Sequence, residues 1–501
     1  MSTDPVDTPI ASASARPSAL TMIRGGLMVR PGEGVRVTLL FTHLLLASAI
    51  FVMGRTVRDT LFLSRFSIDA LPWMFVAYGV ASALTVVVYA RFADRLPRDR
   101  MIAIWSALGV VTYVGTWFTV RAEQRWIYPV FYVWSEVFAN LLISQFWTLA
   151  NDVFDPRSAK RLFGTVGAAR VLGIILVGLA TGVVVRAIGT EQLLFVLSGL
   201  LTLVAGLALR LGREVRATPR PKTARRNARP APSVVSDRYV RVLGGMLLLA
   251  FASLTVGDYQ FKAVARETYR EDELAAFFAY FYAGAGLLAF LFQLVGTPRI
   301  LRRFGVGVGM SVMPGVFGVA SALLLFWPSL AFASVMKFAD NGFQYTIHET
   351  TLQSLYVPFP AAAKARTRAF LDAVAKPLAY ALGGVLLLLF AKPLGTIGLS
   401  WVALGATVGW LAIVPVVRRR YVARLEATLR VHGLEDDAEG LVDAHARAAL
   451  SAALSSEDPR RVVAALDALG ESASSDEAAV ALVRLAGHDE PALRSVALRR
   501  L

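Results

Sequence analysis

Along most of the chain, apolar residues run in blocks of about 19 to 24 without strict alternation, separated by short polar stretches. The blocks lie near 36–54, 70–90, 101–120, 127–151, 166–187, 190–210, 239–261, 274–296, 306–327, 329–349, 369–391 and 396–417. At about 1.5 Å per residue each can cross a hydrocarbon core of about 30 Å. Backbone in lipid must satisfy its own hydrogen bonds, so unalternating spans of this length are helices and not barrel strands. The pattern predicts an all-α, polytopic membrane protein with about twelve transmembrane helices. Composition agrees, with 56% of the 501 residues hydrophobic and 18% charged.

The polar stretches fix the expected orientation. A net charge of +16 can signal nucleic-acid binding, but here the cations sit in alternate loops, as insertion requires of the cytoplasmic side. With the N-terminus inside, the inner loops are RFADRLPRDRM (Arg91, Arg95, Arg98, Arg100), DPRSAKR (Arg157, Lys160, Arg161) and RILRRF (Arg299, Arg302, Arg303). KARTR (Lys364, Arg366, Arg368) and RRRYVAR after the last block (Arg418, Arg419, Arg420) continue the series. The intervening loops hold fewer cations and more acids, as in RETYREDE. Both termini are therefore expected in the cytoplasm of a multi-pass protein of a bacterial inner (cell) membrane, and no nucleic-acid partner is expected.

Between the sixth and seventh blocks, GREVRATPRPKTARRNARPAPSVVSDR is rich in Pro, Ala and Arg and lacks apolar periodicity. It reads as a flexible basic linker that can touch anionic headgroups. The expected organisation is a disordered tail at 1–35, a six-helix bundle at 36–211, the linker at 212–237 and a second six-helix bundle at 238–417. Six helices plus six around a long central linker is the organisation of major-facilitator transporters. VFANLL (Val137 to Leu142) and KFADNG (Lys337 to Gly342) share Phe-Ala-Asn/Asp at an offset of about 200, and TVRD and QFK in the first and seventh blocks stand at nearly the same offset. FADRLPRDR resembles the Asp-Arg-x-Gly-Arg-Arg loop of that superfamily with Pro97 in place of glycine, which marks Asp94, Arg95 and Arg98 as candidate gating residues.

Several blocks carry charges. An ionisable group near the bilayer centre costs about 3 kcal/mol on insertion scales, so it normally faces a cavity or a partner. That selects Glu136 in WSEVFANLLISQFWTLAND, Arg55, Arg58 and Asp59 in MGRTVRDTLFL, Asp258 and Lys262 in TVGDYQFKAVAR, and His348 and Glu349 in YTIHETT. These are the first, fourth, seventh and tenth blocks, which line the central cavity in a major-facilitator arrangement. Cations from both halves suit an anion, and Arg suits bidentate phosphate or carboxylate recognition. Acids beside them can couple protons, or pair with the cations while the site is empty. Plainer explanations exist for each. Arg58 and Lys262 near block ends can snorkel, and Glu136 can sit shallowly in an aromatic belt of Trp126, Tyr128 and Trp134. Arg58 and Asp59 can neutralise each other, and His348 with Glu349 can be a local hydrogen-bonded pair.

GRTVRDTLFL resembles the Leu-Lys-Asp-Thr-Leu motif that closes the first helix of the bacterial and plastid ATP/ADP translocases. WSEVFANLLISQFWTLANDVFDPRSAKRLFGTVGAARVLGIILVG is similar to that family's Trp-Ser-Glu segment, followed by Phe-Trp, an Ala-Asn pair, Ala-Lys-Arg-Phe and a glycine-rich fifth helix. LYVPFPAAAKARTRAFLDAVAKPLAYALGG looks like the family's Tyr-Ile-Pro-Leu, Lys-Gly-Lys-Ala-Ala-Ile-Asp and glycine-rich eleventh helix, and the resemblance covers roughly residues 36 to 420. By it, Arg58 takes the place of a first-helix lysine, Glu136 matches the fourth-helix glutamate, Asp258 replaces a seventh-helix glutamate and Lys262 matches the lysine after it. The resemblance implies that these positions bind a nucleotide, with Arg55, Asp59, Asn151 of the Ala-Asn pair and Glu349 as further candidates. At the family's tenth-helix Lys-Glu pair this chain has Leu352 and Gln353, which removes one phosphate contact.

Cysteine is absent, and the five histidines are dispersed without ligand spacing. No P-loop or nucleophile elbow is present, so neither an enzyme nor a cofactor or metal is expected. MSTDPVDTPIASASARPSAL lacks a convincing cleavage site and reads as a polar tail before a retained helix. Beyond Arg420, EDPRRVVAALDAL (Glu457 to Leu469) and DEPALRSVALRRL (Asp489 to Leu501) align with a period of 32 and resemble HEAT-type repeats, so 418–501 is expected to be a soluble, α-solenoid-like segment. Such repeats need about three neighbours, and the second stops short, as in a truncated piece of a longer protein. They would present a face to a cytoplasmic protein partner. The expected function is exchange of nucleotides or related phosphorylated anions by alternating access. Two others stand beside it: proton-coupled transport of another solute, and a membrane-anchored scaffold or sensor acting through the repeats.

Overall fold

A computed structural model describes residue 30 and residues 33–92, 96–154, 156–216, 237–359 and 361–431, with scattered positions between 462 and 494. Most of the N-terminal tail and the central linker, Asp94 and Arg95, and nearly all of the repeat segment lie outside the described residues.

Every regular element among the described residues is helical. The first half holds α1 (Gly34–Arg65), α2 (Leu71–Phe92), α3 (Arg98–Arg121), α4 (Ile127–Val153), α5 (Pro156–Ile188) and α6 (Leu193–Arg216). The second holds α7 (Arg238–Thr268), α8 (Glu271–Phe326), α9 (Leu330–Phe343), α10 (Glu349–Leu355), α11 (Ala361–Phe370) and α12 (Lys376–Val431). Ten helices among the described residues are long and apolar enough to cross a membrane. Their outward faces are apolar, with Val80, Leu84, Val88, Leu176, Val183, Leu291 and Leu294 among the large exposed side chains, as a surface solvated by acyl chains requires.

Each of α8 and α12 runs for 56 residues, about 84 Å at helical rise and far more than one bilayer. Both are broken at a glycine, Gly305 (φ 74°) and Gly395 (φ 68°), in the left-handed region that only glycine enters without strain. Each break lies between two apolar stretches. Five-residue π-helical turns at Gln344–His348 and Leu371–Ala375 join α9 to α10 and α11 to α12. The helices also outrun the hydropathy blocks: the block at 329–349 is part of a run to Leu355, and the one at 369–391 begins at Ala361. A helix can carry polar residues wherever it faces protein or water, so hydropathy alone underestimates its length. The last helix passes residue 417 without a break and continues to Val431. There Arg424 stacks 4.2 Å from the Phe359 ring and pairs with Asp237 at the start of α7.

In the first half α1 packs on α4, α5 and α6; in the second α7 packs on α9 and α12. The halves meet along two seams, α2 on α12 and α5 on α8. Both depend on small residues that let backbones approach. A Cβ on Gly79 would lie 2.6 Å from the Pro377 carbonyl, and one on Gly384 would lie 2.8 Å from that of Pro72. Because backbone cannot yield cheaply, Gly384→Ala is expected to destabilise the protein by about 1–3 kcal/mol, read as a lower unfolding midpoint. Gly315→Ala, whose Cβ would meet nothing within 4 Å, is the control and leaves the midpoint in place.

Candidate functional site

The spacing of charges along four helices aims them at one point. Arg55, Arg58 and Asp59 fall at i, i+3 and i+4 on α1, Asp258 and Lys262 at i and i+4 on α7, and Lys337 and Asp340 at i and i+3 on α9, so each group shares a helix face. Because α1 continues to Arg65, its charges sit inside the helix and not at its end. With Glu136 of α4, these groups meet between the two halves.

On the first-half side, Glu136 is held by both guanidinium groups. Its Oε2 lies 2.5 Å from Arg58 Nη1 and its Oε1 3.2 Å from Arg55 Nη2, while Asn140 Nδ2 donates to Oε1 over 3.2 Å. Arg58 also lies 3.2 Å from Asp59 and 4.6 Å from the centre of the Tyr132 ring. On the second-half side, Asp258 is shared between Lys262 at 2.8 Å and Lys337 at 2.6 Å, and Lys337 lies 2.6 Å from Asp340.

Three contacts join the halves. Lys262 Nζ is 3.1 Å from Asp59 Oδ1 and donates to Tyr132 Oη over 2.9 Å, and Arg55 Nη1 donates to Asn341 Oδ1 over 3.3 Å. Lys262 is 1% exposed and Asp59 not at all, so the lysine does not snorkel to a headgroup. Nor is Glu136 shallow: of the expected aromatic belt only Trp126 is exposed, while Tyr128 is buried and Trp134 donates to Thr112 Oγ1 over 3.0 Å inside the bundle.

Four cations (Arg55, Arg58, Lys262, Lys337) thus face four carboxylates (Asp59, Glu136, Asp258, Asp340), and the formal charge of the cluster is zero. A cavity of about 40 Å³ beside them is lined by Arg55, Arg58, Glu136, Asp258, Lys337 and Asp340, and also by Phe75, Tyr78, Gln344 and Tyr380. That admits a few waters.

One end of the bundle is tied across the two halves. The Thr190 backbone N–H and hydroxyl donate to Asp272 Oδ1 over 2.9 and 2.6 Å, tying α5 and α6 to the start of α8. Arg65 adds weaker links to Glu191 at 3.7 Å and Glu271 at 4.0 Å. Charges held at the centre and a latch on one side are the parts an alternating-access carrier needs.

A family model described as the Major Facilitator Superfamily matches residues 38–359, more than half of the chain. The chain belongs to the Major Facilitator Superfamily. Solved facilitator-like structures agree in fold: a POT family transporter in complex with 5-aminolevulinic acid (TM-score 0.56, 12% identity, 78% of this chain and 96% of that one) and a D-xylose-proton symporter (0.55, 15%, 76% and 96%). A nucleoside transporter matches at TM-score 0.51 and 16% identity over 77% of this chain and 99% of its own.

Among curated facilitator relatives are ADP,ATP carriers. The chloroplastic ADP,ATP carrier protein 2 of Arabidopsis thaliana is 21% identical over 333 residues, 57% of this chain and 53% of that protein. ADP,ATP carrier protein 4 of Rickettsia prowazekii is 20% identical over 309 residues, 52% and 60%. ADP,ATP carrier protein 2 of Chlamydia trachomatis serovar D is 20% identical over 439 residues, 74% and 80%. The match thus spans little more than half the length of the first two.

Within this facilitator fold, Arg55, Arg58, Asp59, Glu136, Asp258 and Lys262 come together. Asn151 and Glu349 do not join them. Asn151 is exposed toward the other end of α4, where it donates to the Trp147 carbonyl over 2.8 Å. Glu349 accepts from Gln353 over 2.5 Å and lies 3.9 Å from Arg368, while His348 turns away to meet Trp410 edge-on. Arg98 lies 3.9 Å from Asp152. Lys337 and Asp340 were missed as site residues although they lie inside an apolar block; the rule that singled out Glu136 selects them too. Tyr132 and Asn341, which are uncharged, gave no such signal.

Proposed function

We propose that this facilitator exchanges nucleotides or related phosphorylated anions by alternating access. The observation that carries the reading is the neutral cluster of paired charges between the halves, each cation of which becomes a phosphate ligand once its carboxylate lets go. The likeness to ADP,ATP carriers supports the nucleotide class. Lys337 gives the tenth crossing a cation of its own, although the resemblance places Leu352 and Gln353 where that family has Lys-Glu. The paired state is the empty one: an incoming anion displaces carboxylates from the arginines and lysines, and their re-pairing accompanies its release.

Twelve crossings are inferred from the ten apolar helices: the 50-residue span at Lys376–Leu425 counts twice across Gly395, and the run from Leu330 through the π turn to Leu355 adds one more. With the basic loops and both termini assigned to the cytoplasm, the Thr190–Asp272 latch is assigned to the outer side. The reading involves no catalytic step and no cofactor. The C-terminal segment, read from its sequence as repeats, is assigned a cytoplasmic role in binding a protein partner.

In proteoliposomes, uptake of labelled ATP is expected to accelerate at least several-fold when the vesicles are preloaded with ADP, and to persist when an uncoupler is added. Uptake of a different solute that the uncoupler abolishes would instead assign Glu136, Asp258 or Asp340 to proton coupling. No flux of any nucleotide or phosphorylated metabolite would leave the bundle as an anchor.

A further inference from the structure

The central cluster does not account for all the charge inside the second half. Starting from Tyr380, which lines the central space, residues at four-residue steps toward the basic end are Lys376, Asp372 and Arg368. Lys376 Nζ lies 2.6 Å from Asp372 Oδ1, and Arg368 Nε lies 3.6 Å from Asp372 Oδ2. Lys376 sits 5.7 Å from the centre of the Phe251 ring, which in turn packs on Tyr380. The row is therefore continuous with the central site.

A second row faces it. Lys337, Asn341 and Gln344 share one face, and a regular helix would bring His348 onto it next. The π turn at Gln344–His348 inserts one residue, which rotates the following helix back by about 100° and puts Glu349 and Gln353 on that face instead. Glu349 reaches Arg368 at 3.9 Å, so the rows touch. On the first-half wall, Asn140, Ser144, Thr148 and Asn151 continue from Glu136 at three- and four-residue steps; Asn140, Ser144 and Asn151 are exposed and Thr148 is half-buried. Side chains this polar, uncovered by protein within a bundle, face water and not acyl chains. In the first row Arg368 is 52% exposed and Asp372 42%.

We infer that Arg368 and Lys376, poised on Asp372 and Glu349, form a second anion-binding site between the basic end and the central cluster. Its ligand is a phosphate-type anion, the di- or triphosphate of a nucleotide or free pyrophosphate; this choice of ligand rests on the proposed function. The two cations stand about two helical turns apart along the chain, but their head groups converge on the two oxygens of Asp372 and can meet one di- or triphosphate there. The neighbouring acids keep them placed while the site is empty. Asn140, Ser144, Thr148 and Asn151 of α4 extend a polar face from Glu136 toward Asp152, which lies 3.9 Å from Arg98. An anion arriving from that end meets this pair before the four central cations.

Inorganic pyrophosphate titrated calorimetrically into the purified full-length protein tests the site. In an Arg55→Gln, Lys337→Gln background, which disables the central cluster, saturable binding is expected to remain, and adding Arg368→Gln and Lys376→Gln weakens it at least tenfold. Asp372→Asn in the same background releases both cations and is expected to tighten binding about five- to tenfold, a gain that misfolding does not produce. Absence of residual binding, residual binding indifferent to Arg368→Gln and Lys376→Gln, or weaker or unchanged binding in Asp372→Asn overturns the site. ATP/ADP exchange by the unmutated protein in liposomes reports separately on the proposed function: exchange without residual pyrophosphate binding removes only this second site, and residual binding without exchange leaves the site standing and removes the nucleotide reading.

Discussion

Lys262→Gln is expected to cost this protein about 3–5 kcal/mol of stability and to abolish transport, while adding Asp59→Asn restores most of the stability and none of the transport. The lysine is buried with three partners, Asp59 at 3.1 Å, Asp258 at 2.8 Å and Tyr132 at 2.9 Å. Without it, Asp258 keeps Lys337 at 2.6 Å, but the fully buried Asp59 retains only the 3.2 Å contact with Arg58, whose guanidinium is already committed to Glu136. A buried carboxylate without adequate compensation is the costly species, and breaking such a pair costs far more than replacing both members. The double variant removes that species and leaves two amides that can hydrogen-bond. Transport does not return, because Lys262 is also one of the links between the halves and one of the cations offered to the cargo. Unfolding midpoints of parent, single and double variants in detergent give the stability cycle, and uptake by the same proteins in liposomes gives the activity. A double variant as unstable as the single would show that the lysine stabilises through packing on Tyr132 and Phe75 and not through charge.

Much of the arrangement is legible in the chain because the bilayer makes two demands on sequence. Apolar length predicts where helices run, and the cost of charge in lipid predicts which residues turn inward. Arg55, Arg58, Asp59, Glu136, Asp258 and Lys262 stand together for the second reason, as do Lys337 and Asp340. The segments VFANLL and KFADNG, noted for their similarity, both reach this cluster: Asn140 bonds to Glu136 and Asp340 to Lys337. What hydropathy does not carry is phase. The π turn after Phe343 shifts the helix by one residue, so that Glu349 points along the wet path and His348 points at Trp410. Nothing in QYTIH announces that extra residue. Helices rich in polar side chains, such as Ala361–Phe370, also escape a hydropathy window.

Glu136→Gln separates binding from turnover. In the empty cluster Glu136 occupies both arginines, through contacts of 2.5 Å to Arg58 and 3.2 Å to Arg55, so an arriving phosphate must displace it. Hydrogen bonds to charged groups contribute about 1.5–3 kcal/mol, and an amide competes for guanidinium far less well than a carboxylate does. The variant is therefore expected to bind ATP or pyrophosphate about 10- to 100-fold more tightly than the parent. The same substitution leaves the empty cluster with a net positive charge and removes the carboxylate that both arginines share. An empty carrier in that state is slow to reorient, because its excess positive charge must be desolvated on passing through the occluded centre. Net uptake into vesicles without internal nucleotide should fall at least tenfold, whereas exchange against preloaded ADP should fall less, since the bound anion supplies the missing charge. Calorimetry of the purified variant measures the first effect, and paired uptake assays with and without internal ADP measure the second. Weaker binding in Glu136→Gln would mean that the carboxylate positions the arginines for the cargo and does not compete with it, and the empty, self-paired cluster would then not be the resting state of an exchanger.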